Sequence, residues 1–325
     1  TFSKNYGQGN LSKKTLLGDT GFSVGKLGMG LAEIGYELSL TQTDQAGEIL
    51  NTALDNGINF LDTASCYGVS EELIGQTISK RRSEFFLATK AGHATGNLGF
   101  DKNSPGADWS YKTITDSIDR SLTRLKTDHL DLVQLHSCNK NVLEQGDAIR
   151  AVIDAKTSGK TIFIGYSGDN ENAHWAVESG IFSTLQTSYN IVEQRARSSN
   201  LLEKAAERKM GVIIKRPIAG GSWAKARNKK MLASVRGYDE VYLNRAIKMQ
   251  SLGVIETEPD DGIFTSIKFV QNNPNISVMI VGTKNPSHLV NNIRQINSLE
   301  NINDSVINEL HERFDRLDEN WVQQM

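Results

Sequence analysis

The chain has 325 residues, and its 36 Lys and Arg against 38 Asp and Glu give a formal charge of −2. This near balance argues against a general nucleic-acid binder, which usually presents a strongly basic face. The longest apolar runs, such as 278–281, are too short to span a bilayer. Two cysteines make no disulfide framework, and the polar N-terminus has no signal-peptide core, so we expect a reduced cytoplasmic protein.

Short apolar strand patterns alternate with helical patterns along the chain. This alternation predicts a single-domain α/β protein over 1–325, folded as a (β/α)8 TIM barrel. A doubly wound open sheet is the alternative, but it would usually carry a Gly-rich phosphate loop after its first strand, and none is present. The predicted strands are 26–30, 58–62, 85–90, 130–136, 162–166, 183–187, 212–215 and 278–281.

Helical patterns follow these strands, and start and stop signals mark several of them. Gly57 stands where the first long helix should end, and Ser70 precedes Glu71 and Glu72 as a cap with an acidic first turn. The predicted helices are 44–56, 70–80, 111–126, 141–158, 171–178, 198–209 and 286–297, with an extra C-terminal helix at 303–320.

Three stretches interrupt this alternation. Residues 12–25 predict an N-terminal β-hairpin turning at 19–21, and 91–110 and 216–262 predict long loops after strands, the second of them basic at 225–230. Loops after strands lie on the face where such barrels perform chemistry. Aromatic residues often line ligand pockets, so the loop residues His93, Trp109 and Trp223 are candidate pocket walls.

Titratable residues close three consecutive predicted strands. Asp62, Lys90 and His136 end them, and Tyr67 follows Asp62 closely enough to fold back over the same rim. An ammonium group near a tyrosine lowers the pKa of the phenol, and a carboxylate can hold that ammonium in place. The set therefore predicts a phenol that donates a proton to a forming alkoxide, with His136 orienting the oxygen. The hydride would have to come from a nicotinamide.

These residues resemble those of the aldo-keto reductase superfamily. The runs GINFLDTASCYGVSEELIG, LATK and LDLVQLH contain the family's Asp-Tyr-Lys-His tetrad at the family's spacings. The resemblance implies a (β/α)8 barrel whose N-terminal hairpin plugs the bottom, and NAD(P)H bound without a Rossmann domain. It assigns Tyr67 as general acid and base, Lys90 and Asp62 as the residues that tune it, and His136 as the residue that orients the carbonyl.

The resemblance also implies a cofactor site. Ser167 and Gln186 match the nicotinamide carboxamide contacts, although Gly168 replaces a common Asn and Lys215 stands at the usual aromatic stacking position. One Lys and one His in the adenosine-phosphate segment favour NADPH/NADP+ over NADH. The candidate cofactor-binding residues are Gly30, Asp62, Ser167, Gln186, Lys215, Arg216, Gly282, Thr283, Lys284, His288, Asn291 and Asn292.

Other interpretations remain open. Cys66 and Cys138 each lie within two residues of the tetrad, which allows a Cys–His nucleophile, while the spacing of His and Cys predicts no metal site. A redox-sensing or regulatory NADP(H)-binding subunit that turns over slowly is the alternative function. We expect a small carbonyl compound as the binding partner, with no nucleic acid and no membrane. The oligomeric state stays open and is compatible with a monomer.

Overall fold

We describe residues 14–93, 108–227 and 238–324 in a computed structural model of the chain. Residues 94–107, which form most of the loop predicted at 91–110, lie outside this part. The same holds for residues 12–13 of the hairpin region and for residues 228–230 of the predicted basic stretch.

Eight parallel strands close into a barrel, which confirms the predicted fold and shows that the open doubly wound sheet was wrong. The barrel strands are β3 Leu27–Gly30, β4 Phe60–Asp62, β5 Phe86–Ala91, β6 Leu130–His136, β7 Thr161–Ser167, β8 Thr184–Ser188, β9 Gly211–Lys215 and β10 Val278–Val281. Each strand begins and ends within two residues of its predicted bounds. They pair in the spatial order β10-β3-β4-β5-β6-β7-β8-β9.

Helices surround the barrel, and two of the predicted ones are each divided in two. Gly146, at a φ of 85°, separates two helices where the sequence predicted one, and Asn200, at a φ of 58°, separates another pair. They are α1 Ala32–Glu37, α2 Thr43–Asp55, α3 Ser70–Thr77, α4 Tyr111–Leu125, α5 Lys140–Gln145, α6 Asp147–Thr157, α7 Asn170–Ser179, α8 Arg195–Ser198, α9 Leu201–Glu207, α10 Ser222–Arg227, α11 Tyr238–Gln250, α12 Gly262–Gln271, α13 Pro286–Asn297 and α14 Asp304–Leu317.

The expected N-terminal hairpin consists of β1, Lys14–Leu16, paired antiparallel with β2, Ser23–Gly25. It covers the N-terminal end of the barrel, where the Asp19 N–H donates to the carbonyl of Lys209 just before β9. Gly18 is required there, since a Cβ on it would lie 2.3 Å from the backbone nitrogen of Gly211.

The barrel interior is filled rather than hollow. One apolar cluster joins the hairpin to the inward-facing strand residues, and all its members are buried: Leu17, Val24, Phe60, Phe86, Ala88, Leu132, Ile213, Val278 and Ile280. A second, larger cluster packs the outer faces of the strands against the helices. Apolar residues fill most of the lower barrel, with buried Thr184 at the start of β8 as a polar exception, and the tetrad residues that end strands lie at its C-terminal end.

The connection predicted at 216–262 contains more structure than the sequence suggested. Helices α10 and α11 lie within it, and α12 begins at its end with the Asp261 side chain accepting the N–H groups of Ile263 and Phe264. Among the described residues, no helix combines the length and the apolar character needed to cross a membrane.

Candidate active site

The strands carry the predicted tetrad to one rim of the barrel. Asp62 is the last residue of β4, Lys90 lies one residue before the end of β5, and His136 is the last residue of β6. Tyr67 follows in the loop after β4, where its N–H donates to the Ala64 carbonyl in a tight turn. The parallel register therefore brings together four residues that are far apart in the sequence.

A buried ion pair lies at the centre of this rim. The Lys90 Nζ lies 2.5 Å from Asp62 Oδ2, and the two side chains are 1% and 2% exposed. The same ammonium donates to the carbonyl of Thr63 at 2.9 Å. Two acceptors thus hold the Lys90 cation in a fixed position, as a charge buried away from water requires.

Amide side chains satisfy the second oxygen of the Asp62 carboxylate. Gln186 donates to Oδ1 at 2.8 Å and Gln134 at 3.2 Å, while the Ser167 hydroxyl donates to the Gln186 carbonyl oxygen at 2.9 Å. The sequence analysis missed Gln134. Its position two residues before His136, on the inward face of the same strand, was the available signal.

Tyr67 lies against the cation of this pair. The Lys90 Nζ is 4.8 Å from the centroid of the Tyr67 ring. The rings of Tyr67 and His136 meet edge to face, with centroids 5.8 Å apart and planes at 81°. A phenol, an ammonium and an imidazole therefore share one small region, as the sequence predicted.

The imidazole of His136 is enclosed by other side chains. The His93 ring stacks on it with centroids 4.0 Å apart, and the Trp109 Nε1 donates to its backbone carbonyl at 3.1 Å. Burial lowers the pKa of His136 well below its usual range, and the nearby His93, Lys90 and Lys215 lower it further. At neutral pH this ring is uncharged, so it can orient a carbonyl oxygen but is a poor proton donor.

Cys66 completes this group. Its Sγ lies 3.5 Å from His136 Nδ1 and 3.9 Å from His93 Nδ1. Burial raises the pKa of the Cys66 thiol to about 11, although the Lys90 charge opposes the shift. The group is therefore a thiol at neutral pH, and the alternative of a Cys–His nucleophile loses support because the thiolate is the reactive form.

Lys215, expected near the nicotinamide, ends β9 and pairs with Asp169 at 3.0 Å. Burial alone would raise the pKa of Asp169, but the charge of Lys215 and the N–H of Ser188 outweigh it and lower the pKa. Arg216 follows, and its guanidinium donates to the Gln324 carbonyl at 2.6 Å. Both cations therefore lie at the rim but already have partners.

The segment after β10 was expected to hold the adenosine phosphates, and acidic residues of α1 face it. Lys284 forms an ion pair with Glu37, and the Lys284 backbone N–H donates to the Glu33 carboxylate at 3.1 Å. Glu37 raises the pKa of Lys284 through this pair. The Thr283 hydroxyl accepts the N–H of Asn285 at 3.1 Å, so it shapes the turn before α13.

The remaining expected cofactor residues lie on the same side of the barrel. Gly30 and Gly282 approach each other closely, since a Cβ on Gly282 would lie 3.1 Å from the Gly30 carbonyl oxygen. On α13, His288 and Asn291 are exposed, and Asn292 is only 6% exposed. The segment therefore presents both exposed and buried side chains after β10.

Two residues of the connection after β9 differ from expectation. Trp223 was expected to line the pocket, but it is 1% exposed and its Nε1 donates to Glu258 at 2.6 Å, so that expectation was wrong. Ser222, which the sequence analysis missed, is 2% exposed, and its hydroxyl has no hydrogen-bond partner in the described part of the chain. It follows Gly220 and Gly221, whose φ values of 63° and 75° form a tight turn.

Comparison with known proteins agrees with this geometry. Residues 26–313 match the family model described as the aldo/keto reductase family. The chain is 29% identical over 300 residues to the uncharacterized oxidoreductase YqkF of Bacillus subtilis, covering 88% of this chain and 92% of that protein. It is 33% identical over 159 residues to the L-galactose dehydrogenase of Arabidopsis thaliana, covering 47% of each.

Solved structures agree as well. A Pseudomonas aeruginosa protein assigned to the aldo-keto reductases superposes with a TM-score of 0.70 at 26% identity, covering 91% of this chain and 98% of that one. An aldo-keto reductase from Bacillus halodurans in its holo form shares the fold, with a TM-score of 0.76 at 23% identity, covering 93% and 96%. A family match over most of the chain, on a barrel with the tetrad at its rim, makes this protein an oxidoreductase of the aldo/keto reductase family.

Proposed function

We propose that the protein reduces an aldehyde or ketone to an alcohol with NADPH, and that Tyr67 supplies the proton. The observation that carries this proposal is the Lys90 ammonium, which lies 4.8 Å from the Tyr67 ring centroid and is fixed by Asp62. A positive charge next to a phenol stabilises the phenolate that remains after proton transfer. The tyrosine is thereby suited to donate a proton and to accept it in the reverse reaction.

His136 has the complementary role of orienting the substrate. Its ring is neutral because burial and neighbouring cations lower its pKa. The Cys66 thiol lies 3.5 Å from Nδ1, so an S–H donor there leaves the ring proton on Nε2. An Nε2–H can donate a hydrogen bond to the carbonyl oxygen and place it beside the tyrosine.

The chain offers a consistent set of groups for a nicotinamide dinucleotide. Ser167 and Gln186 are buried beside the Asp62 carboxylate. The Ser222 hydroxyl, which has no partner among the described residues, lies at the start of α10, where a phosphate oxygen would satisfy it. We propose that these residues, with Lys284 and His288 for a 2′-phosphate, hold NADP(H). When bound, this cofactor supplies the hydride that no side chain can supply.

The test is an assay of NADPH consumption with a panel of aldehydes and ketones, run in parallel with NADH. Because one relative is named for L-galactose dehydrogenation, the panel includes aldoses and the reverse reaction with L-galactose and NADP+. Rapid consumption that requires Tyr67 supports the proposal. Tight NADPH binding without turnover of any carbonyl contradicts it and favours the regulatory alternative.

A further inference from the structure

Three potential metal ligands converge beside the proposed catalytic centre. The ligand atoms of Cys66, His93 and His136 all lie within 4.8 Å of one another. All three residues are partly exposed. The sequence spacing gave no sign of this group, because Cys66 is 27 residues from His93 and 70 from His136.

The distances suit a small tetrahedral cation. Zn²⁺ binds sulfur at about 2.3 Å and imidazole nitrogen at about 2.0–2.1 Å, which places S and N ligands about 3.6 Å apart in a tetrahedron. Here Cys66 Sγ lies 3.5 Å from His136 Nδ1 and 3.9 Å from His93 Nδ1. The His93 ring stacks on the His136 ring with an interplanar angle of 18°, so the His93 side chain has to turn out of this stack before both Nδ1 atoms can bind one ion.

The cations that lower the pKa of His136, namely Lys90, Lys215 and Arg216, also oppose a bound metal ion, and carboxylates offset part of this effect. The two nearest ammonium groups are each neutralised, Lys90 by Asp62 at 2.5 Å and Lys215 by Asp169 at 3.0 Å. The backbone carbonyl of Cys66 also has a hydrogen-bond donor. The Tyr36 hydroxyl donates to the Cys66 carbonyl at 3.0 Å, and contacts of this kind hold metal ligands in position.

We propose that Cys66, His93 and His136 form a reversible site for a thiophilic divalent cation such as Zn²⁺. Binding forms one Zn–S bond and two Zn–N bonds, and the thiol proton of Cys66 passes to solvent. Three protein ligands leave a fourth position for water. Since His136 contacts the Tyr67 ring, the bound ion and its water would lie beside the region that the carbonyl has to enter. We infer that occupancy slows carbonyl reduction, a consequence that rests on the proposed function.

The binding experiment does not depend on activity. Co²⁺ is titrated into the reduced protein, and the thiolate-to-cobalt band in the near ultraviolet and the visible bands of tetrahedral Co²⁺ are recorded, followed by displacement with Zn²⁺. We expect one Co²⁺ per chain, with both signals lost in Cys66→Ala and the affinity reduced at least about tenfold in His93→Gln. Cys138→Ala and His129→Gln are matched controls that keep the signals.

Two results would overturn the site: no thiolate band in the unchanged protein, or the same titration in Cys66→Ala. Either would leave the cluster as a hydrogen-bonded network with no metal function.

A second experiment measures the rate of NADPH oxidation after Zn²⁺ is added and again after EDTA is added. We expect reversible inhibition, relative to each variant's own metal-free rate, in the unchanged protein and in Cys138→Ala but not in Cys66→Ala. Zinc binding without inhibition would overturn the link to His136. If the protein reduces no carbonyl compound, the proposed function is contradicted. The cobalt titration then decides by itself whether the metal site exists.

Discussion

The Lys90 ammonium and the Asp62 carboxylate meet at 2.5 Å in a pair that is almost completely removed from water, with exposures of 1% and 2%. Removing one member of such a pair leaves a charge without its partner, which typically costs about 3–5 kcal/mol. We expect Lys90→Met to lower the free energy of unfolding by that order, because Asp62 keeps only its two amide donors. Chemical denaturation measures the change.

A matched control separates burial from charge pairing in general. Lys112→Met breaks a pair of the same length with Asp116, but those side chains are 83% and 48% exposed. Exposed pairs contribute at most about 1 kcal/mol. If Lys90→Met and Lys112→Met lower the free energy of unfolding by the same amount, burial does not make the Lys90–Asp62 pair more important for stability than an exposed pair.

The proposed proton donor can be tested by removing one oxygen. Tyr67→Phe keeps the ring beside Lys90 but has no proton to donate, so we expect kcat for carbonyl reduction to fall by about 10²–10⁴-fold or more. The dissociation constant for NADPH, measured by fluorescence titration, should change little. A variant that reduces carbonyls at a comparable rate would show that another group donates the proton.

The contact between Lys284 and Glu37 predicts a change in cofactor preference. Glu37→Gln releases the ammonium from its carboxylate partner, so we expect NADPH to bind severalfold more tightly. NADH has no 2′-phosphate, so its affinity should remain the same, and the measured quantity is the ratio of the two dissociation constants.

The control for this change is Glu178→Gln, which releases Lys204 from a similar exposed pair elsewhere. It should leave both affinities unaltered. If Glu37→Gln changes the dissociation constants for NADH and NADPH by the same factor, Lys284 does not contact the 2′-phosphate.

His311 on α14 gives a prediction about pH and stability. Burial and the nearby Arg197 lower the pKa of His311 to about 4, from a usual value near 6.5. Between these values the unfolded chain binds a proton that the folded chain does not, so stability falls as the pH falls through this window. We expect His311→Phe to reduce the slope of stability against pH. The measurement is the midpoint of urea unfolding at a series of pH values between about 4 and 6.5. If His311→Phe leaves the slope of stability against pH unchanged, folding does not favour the neutral form of His311.

The sequence predicted the strands better than the helices, and the reason is physical. Strands such as β6 and β10 are short apolar runs bounded by polar residues, and both have their predicted bounds. Helix α12 was missed because apolar and polar residues are both buried along its length, which obscures a periodic pattern. The divisions at Gly146 and Asn200 depend on positive φ values that composition only suggests.

Some residues of the candidate site were also easier to predict than others. Residues fixed at strand ends, such as Asp62 and Lys90, were predictable because parallel strands share one rim. Ser70 was expected to cap α3, but it is the first helical residue, and its hydroxyl instead accepts from Thr63. Contacts between loops, including Glu37 with Lys284 and His93 with Cys66, depend on tertiary placement that one sequence does not encode locally.

The hairpin β1–β2 has a consequence for molecular traffic. It covers one end of the barrel, and among the described residues a buried apolar cluster fills the interior behind it. A molecule that reaches Tyr67 therefore enters and leaves at the C-terminal rim, on the opposite side of the barrel. Two ligands that share a single doorway obstruct each other, so the one seated deeper has to arrive first and depart last.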